Sequence, residues 1–181
     1  GFSVRSGQPV LAEIVRSFPL TLELTLLSVL IALIVGVPIG ILSAVKRDTL
    51  ADLLARLFAL IGMTLPNFWL GTLIILVLSV VFGILPNSGD FVSFTADPLR
   101  NLSQMIFPAI TLGFAFAASV MRTTRSAMLE VLRQDYVRTA RGKGLAERTV
   151  IIRHALSNAL IPVITLIGVE FGYLLGGAVI V

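Results

Sequence analysis

The sequence predicts an all-α, polytopic membrane protein. Three observations carry that prediction: 56% of the residues are hydrophobic and only 13% charged, the mean hydropathy is +0.99, and the apolar residues gather into four long runs. That much apolar surface could not be covered within a soluble domain of 181 residues. A bilayer core of about 30 Å takes roughly 20 helical residues to cross, because each adds about 1.5 Å. Membrane strands fit poorly, since the runs show no period-2 alternation and are far longer than barrel strands.

In chain order, residues 1–16 read as a polar, weakly amphipathic lead-in, followed by a membrane domain over 17–181. The first span is expected over 17–45, with Glu23 near its outer end, Pro38 inside it, and Gly36 and Gly40 spaced for close helix contact. The second is expected over 57–82, containing Pro66, Asn67 and Trp69, and Pro66, like Pro38, Pro108 and Pro162 in the other spans, removes a backbone donor and favours a bend. Trp69 suits an interface or packing position. A third span covers 105–128 and carries Pro108; Arg122 and Arg125 shorten its apolar stretch, so it is read as a helix projecting beyond the membrane while these long side chains snorkel. The fourth runs over 156–181, with Pro162, Glu170 and the glycine pairs Gly168/Gly172 and Gly172/Gly176. The chain starts at Gly1 and stops at Val181 within LLGGAVIV, and we expect it to be truncated at both ends. With no Cys, disulfides and thiolate metal sites are excluded, and no other metal site is expected.

Lys and Arg set the orientation, because cytoplasmic loops retain positive charge. Segment 122–155 holds Arg122, Arg125, Arg133, Arg138, Arg141, Lys143, Arg148 and Arg153 against Glu130, Asp135 and Glu147, and is placed inside. The loop with Lys46, Arg47, Asp48, Asp52 and Arg56 also falls inside, whereas 83–103, with Asp90, Asp97 and Arg100, is placed outside, as is the lead-in.

Within the basic loop the pattern turns amphipathic. Leu129, Leu132 and Tyr136 recur at helical spacing, Gly142 and Gly144 interrupt, and Val150, Ile151, Ile152 and Leu156 begin a second amphipathic stretch. Uniform positive charge would satisfy the orientation rule without these features, so a docking element of helix, glycine turn and helix is expected. Glu170 lies deep in its span, where an ionised carboxylate costs at least a few kcal/mol unless it meets a partner or water. It is assigned to a translocation path with Pro66 and Asn67; a packing role is the alternative. Catalytic motifs are absent: no HExxH, GxSxG or paired intramembrane Asp occurs, the sole His154 sits in the basic loop, and GKG at 142–144 lacks the framework of a phosphate loop.

The basic loop resembles the cytoplasmic signature of permease subunits of ABC importers, Glu-Ala-Ala, three residues, Gly, then Ile-x-Leu-Pro. With Gly144 on the signature glycine, Arg138, Thr139 and Ala140 fall on the triplet and His154 to Ser157 on the distal end, where Ala140, Gly144 and Leu156 match. DYVRTARGKGL and RHALSNALIPV are very similar to the peptide and nickel branch, and SFPLTLEL, LPNFWLG and ILPNSG resemble its B-type subunit. The resemblance covers nearly the whole chain and implies a type I ABC importer permease fold in a prokaryotic inner membrane. It further implies a second homologous permease, two cytoplasmic ATPases that hold ATP and Mg, and an extracytoplasmic substrate-binding protein, with no cofactor on this chain. By the same carry-over, Asp135, Tyr136, Val137, Arg138, Thr139, Ala140, Arg141, Gly142, Lys143, Gly144 and Leu145 form the ATPase-coupling element. Arg138 stands where the family has Glu, and Asp135, three residues earlier, is expected to supply the missing carboxylate. Di- or oligopeptides are the expected cargo, nickel or sugars the alternatives within the class. A secondary transporter without an ATPase is the reading from another class.

Overall fold

A computed structural model describes residues 1–2, 7, 9–84 and 91–177. Asp90, most of ILPNSG and the last residues of the fourth predicted span lie outside them. The elements are α1 (Val10–Val45), α2 (Leu50–Thr64), α3 (Asn67–Phe82), α4 (Pro98–Val131), α5 (Asp135–Gly142), the short α6 (Glu147–Thr149), a π-helical segment (Val150–Leu156) and α7 (Ser157–Gly177). Among the described residues, three helical stretches are long and apolar enough to cross a membrane, or four if the bent pair of α2 and α3 forms one span.

Packing centres on α1 and α4, which run parallel. α1 presents Ser28, Ala32, Gly36, Gly40 and Ala44, one small residue per turn, all buried. Small residues let helix backbones approach where lipid supplies no hydrophobic drive to association. A Cβ built on Gly36 would lie 2.7 Å from the Ala117 carbonyl oxygen, and one on Gly40 would lie 2.7 Å from that of Met121. Gly113 of α4 returns the contact, a Cβ there meeting Ile31 at 3.0 Å. The Gly36/Gly40 expectation therefore holds, as part of a longer stripe. Among the described residues, no neighbour lies within 4 Å of a Cβ built on Gly168, Gly172 or Gly176.

α4 starts cleanly. The Asp97 side chain accepts from the Leu99 and Arg100 amides at 3.2 and 3.1 Å, and Pro98 occupies the first turn, where its missing donor costs nothing. α4 then continues to Val131, farther at both ends than the apolar stretch alone suggested. α1 likewise begins at Val10 rather than near Ser17, after Pro9 at its N-cap. α7 closes the bundle through Val163 against Ala32, Phe116, Ala117 and Val120, and through Ala159 against Ala44, Ala127 and Met128.

The second predicted span is sharply bent at Pro66. Residues 57–82 are not one helix: α2 ends at Thr64, and α3 leaves at 102° to it. Pro66 is the cause, since its ring disfavours helical backbone in the residue before it, and Leu65 is extended at φ −75°, ψ 126°. α2 runs antiparallel to α4, with Ala55 and Ala59 on Met121 and Gly62 against Ala118 and Phe114. The break therefore faces the middle of α4. α3 has no buried residue among those described.

At the foot of α2 lies a polar cluster that charge counting assigned to a solvated loop. Asp52 is fully buried. The Arg125 guanidinium donates to both its oxygens, at 2.8 and 3.0 Å, the Ser43 hydroxyl donates at 2.6 Å, and the Asp48 amide at 3.1 Å. Arg125 also donates to Ser43 Oγ at 3.0 Å, so one carboxylate joins α1, α2 and α4. Arg56, four residues on, lies 3.7 Å from the same carboxylate, so Asp52 has a second cation beside it, and Arg125 itself is partly exposed.

Candidate functional site

The basic segment after α4 folds as an elbow. α4 stops at Val131, the chain turns through residues 132–134, and α5 occupies Asp135–Gly142. The predicted Leu129–Leu132–Tyr136 face is thus split: Leu129 lies in the last turn of α4, whereas Tyr136 lies in the first turn of a separate helix. Asp135 sits in the first turn, where a carboxylate favours the positive end of the helix dipole.

Gly144 ends the elbow helix with φ +77°, a left-handed conformation that a side chain strains. The Leu145 amide reaches back to the Ala140 carbonyl at 3.4 Å and the Gly144 amide to that of Arg141 at 2.9 Å, the paired bonds of a Schellman cap. Gly142, expected to share this role, is an ordinary last helical residue without positive φ. Across the turn, Arg141 Nε and Nη2 donate to the two Glu147 oxygens at 3.1 and 2.7 Å. That hydrogen bond holds the Arg141 guanidinium above its ordinary pKa. Both partners are half open to solvent, so the pair contributes at most about 1 kcal/mol and chiefly fixes the angle of the turn.

The inner side of α5 is apolar. Val137 and Ala140 are buried against Val150, with Val131 and Leu132 packed around them. The π-helical segment that carries Val150 and Ala155 inward is continuous with α7, so α5 is seated on the junction between α4 and α7. Asn158 of α7 adds a tie, its Nδ2 donating to the Tyr136 hydroxyl at 2.8 Å. The outer side is polar and open: Asp135 and Arg138 side chains are 95% and 75% exposed and lie 3.5 Å apart. Tyr136 and Leu145 are 43% and 40% exposed, and Thr139, Gly142 and Lys143 complete the surface. The residues from Asp135 to Leu145 therefore form one rigid, outward-facing unit. Arg138 lies beside Asp135 and partly neutralises it.

Of the three residues assigned to a path, Pro66 and Asn67 adjoin at the break before α3, and Glu170 is on α7. Pro66 caps α3, and Asn67 lines an apolar cavity of about 330 Å³ with Phe68, Gly71, Phe107, Pro108 and Thr111. Glu170 is half-buried on α7 and does not line that cavity. Glu23, read as a residue of the outer helix end, has a buried Oε1 without a hydrogen-bond partner among the described residues. The Asp52 cluster is the element that sequence reasoning missed. Its one available signal is an Arg placed inside an otherwise apolar helical repeat, at Arg125, with an acid on the neighbouring segment to answer it.

Comparison with known proteins follows the same lines. The chain is 42% identical to the dipeptide transport system permease protein of Escherichia coli (strain K12), over 99% of this chain and 60% of that protein. It is 44% identical to the glutathione transport system permease proteins of Escherichia coli (strain K12) and Shigella dysenteriae serotype 1, over 100% of this chain and 56% of theirs. The chain thus spans well under two thirds of the length of these relatives. Residues 36–181 match the family described as the binding-protein-dependent transport system inner membrane component. An apolar bundle with a capped, basic elbow and a family match over most of its length places this chain among the inner-membrane components of binding-protein-dependent transport systems.

Proposed function

We propose that this chain is a permease subunit of an ATP-driven, binding-protein-dependent importer, and that α5 with its glycine cap is where cytoplasmic ATPases dock. The observation that carries the reading is the two-sidedness of α5: Val137 and Ala140 are buried on the bundle while the Asp135 and Arg138 side chains face solvent almost entirely. A helix so seated transmits displacement to α4 and α7 and leaves a mixed surface free for a partner. On this reading the Arg-rich end is cytoplasmic, in a prokaryotic inner membrane, and ATP and Mg are held by the partner ATPases. The unburied α3 and the open glycines of α7 are faces for lipid and for a second, homologous permease. An extracytoplasmic binding protein supplies the cargo. Relatives named for dipeptide and for glutathione both handle short peptides, which supports a peptide cargo over nickel or sugars.

Leu145→Asp tests the docking surface, since Leu145 is partly exposed just beyond the cap. A carboxylate there is expected to leave membrane levels unchanged while reducing ATPase association by about tenfold or more, the equivalent of one unpaired charge in a contact. Co-purification with the ATPases and peptide uptake would measure it; wild-type values for both would remove the docking role. Uptake that persists without ATP under an ion gradient would favour a secondary transporter. Glu170, Pro66 and Asn67 belong to the path in this proposal. Glu170→Gln is expected to alter uptake kinetics or peptide preference, and unchanged kinetics would take Glu170 off the path.

A further inference from the structure

We propose that Asp52 and Arg125 are positioning residues of the transport cycle: their buried fork clamps α2 to α4, so that displacement of α5 at the foot of α4 is delivered to the break at Pro66. The inference rests on the docking role given to α5 above.

The connection can be followed atom by atom. α5 is joined to α4 by a three-residue turn and is packed on Val131 and Leu132, so a push on α5 loads the end of α4. Arg125 lies on α4 between that joint and the α1 contact at Gly36. From Arg125 the load passes through two charge-assisted hydrogen bonds to Asp52, in the first turn of α2. Above Asp52, the α2–α4 contact is made by Ala55, Ala59 and Gly62 and by the Phe58 ring edge-on to Phe114 at 5.3 Å, apolar contacts that bind the helices without directional bonds to fix their register. A two-point Arg–carboxylate fork does fix it, in distance and angle.

What lies beyond the clamp gives the pair its consequence. From Asp52 to Leu65 the helix is a lever of about 20 Å, so tilting it by about 10° moves Pro66 by about 3 Å. The break at Pro66 carries α3 away at 102°, and Asn67, the next residue, borders the cavity against Phe107, Pro108 and Thr111. A tilt of that size changes the width of the cavity, whereas the tightly packed α1 and α4 cannot part. Well-packed apolar residues would hold α2 on α4 at less cost than a buried ion pair, and the use of a pair therefore points to register.

The test uses the full-length chain with its partner permease, ATPases and binding protein, reconstituted in proteoliposomes. Arg125→Lys keeps the charge and loses the fork; Asp52→Asn and the neutral double variant Asp52→Asn with Arg125→Gln remove the charge. Because these 181 residues hold no Cys, nitroxide labels on Val80→Cys and Leu99→Cys report the separation of α3 and α4 once any Cys elsewhere in the full-length subunit is replaced by Ser. In Arg125→Lys, assembly and ATP hydrolysis are expected within about twofold of wild type, while substrate moved per ATP falls about fivefold or more. The ATP-dependent change in label separation should be lost with it. Wild-type substrate per ATP and wild-type label movement in Arg125→Lys would overturn the clamp. So would a fall in assembled complex with substrate per ATP unchanged, which marks a purely structural pair. If Asp52→Asn fails to assemble, Arg125→Lys decides. Failure of the docking reading would look different: Leu145→Asp complexes would keep their ATPases and transport normally.

Discussion

Gly36→Leu should prevent the chain from accumulating as a folded membrane protein. The Cβ alone would lie 2.7 Å from the Ala117 carbonyl oxygen and 2.9 Å from the Val120 side chain, closer than real atoms approach. Since one of those atoms is backbone, no rotamer change relieves the clash, and α1 would have to separate from α4. Overpacking a tight contact costs about 1–3 kcal/mol where side chains can yield, and more where they cannot. A typical domain has only about 5–15 kcal/mol in reserve. Gly36→Ala is expected to lower the melting temperature of the detergent-extracted protein, and Gly36→Leu to leave little monodisperse protein on size exclusion. Should Gly36→Leu extract and melt like the wild type, the α1–α4 contact is not as close as described.

Val137→Asp is the second large effect, and it acts on a different property. Val137 is fully buried between α5 and the π-helical segment, with no cation in that apolar cluster to answer a carboxylate. Burying one there costs several kcal/mol, and undocking α5 is the cheaper outcome. The spans do not depend on this joint, so membrane levels should stay near wild type. Trypsin cleavage after Arg138, Arg141 and Lys143 in inverted vesicles should accelerate, because proteases require a locally opened backbone. ATPase association and uptake should fall together by about tenfold or more. Unchanged cleavage in Val137→Asp would show that α5 is held by something other than this cluster.

Much of the architecture could be read in the sequence because lipid imposes a simple rule, long apolar runs as helices. The elbow was legible for a related reason: a sharp turn after a basic helix needs a left-handed residue, and Gly144 is one. The failures share a cause as well. Hydropathy averaged over 57–82 sees one apolar run; Pro66 signals a bend in it, but not that the bend reaches 102°. Periodicity carried Tyr136 onto the face of Leu129 because nothing in VLRQD announces a stop; the turn there has no Gly or Pro and is held by packing of Val131 and Leu132 on Val150. Charge counting placed Asp52 and Arg125 in a solvated loop, since a residue count knows nothing of a partner 73 positions away. The small-residue stripe of α1 was half seen, through its glycines; Ser28, Ala32 and Ala44 carry too little signal alone.

The bend at Leu65 and Pro66 also has a consequence for solvent. A helix that stops opposite the centre of α4 leaves terminal carbonyl groups with no donor farther along its own turn, and hydrocarbon offers none. The Thr64 hydroxyl points to the Leu60 and Ile61 carbonyls, at 2.9 and 3.2 Å, and not onward to those later ones. Such an end is tolerated where moisture or a neighbouring subunit reaches it. On the proposed placement in the bilayer, this break is therefore the level at which the subunit calls on water or a neighbouring chain to satisfy its backbone.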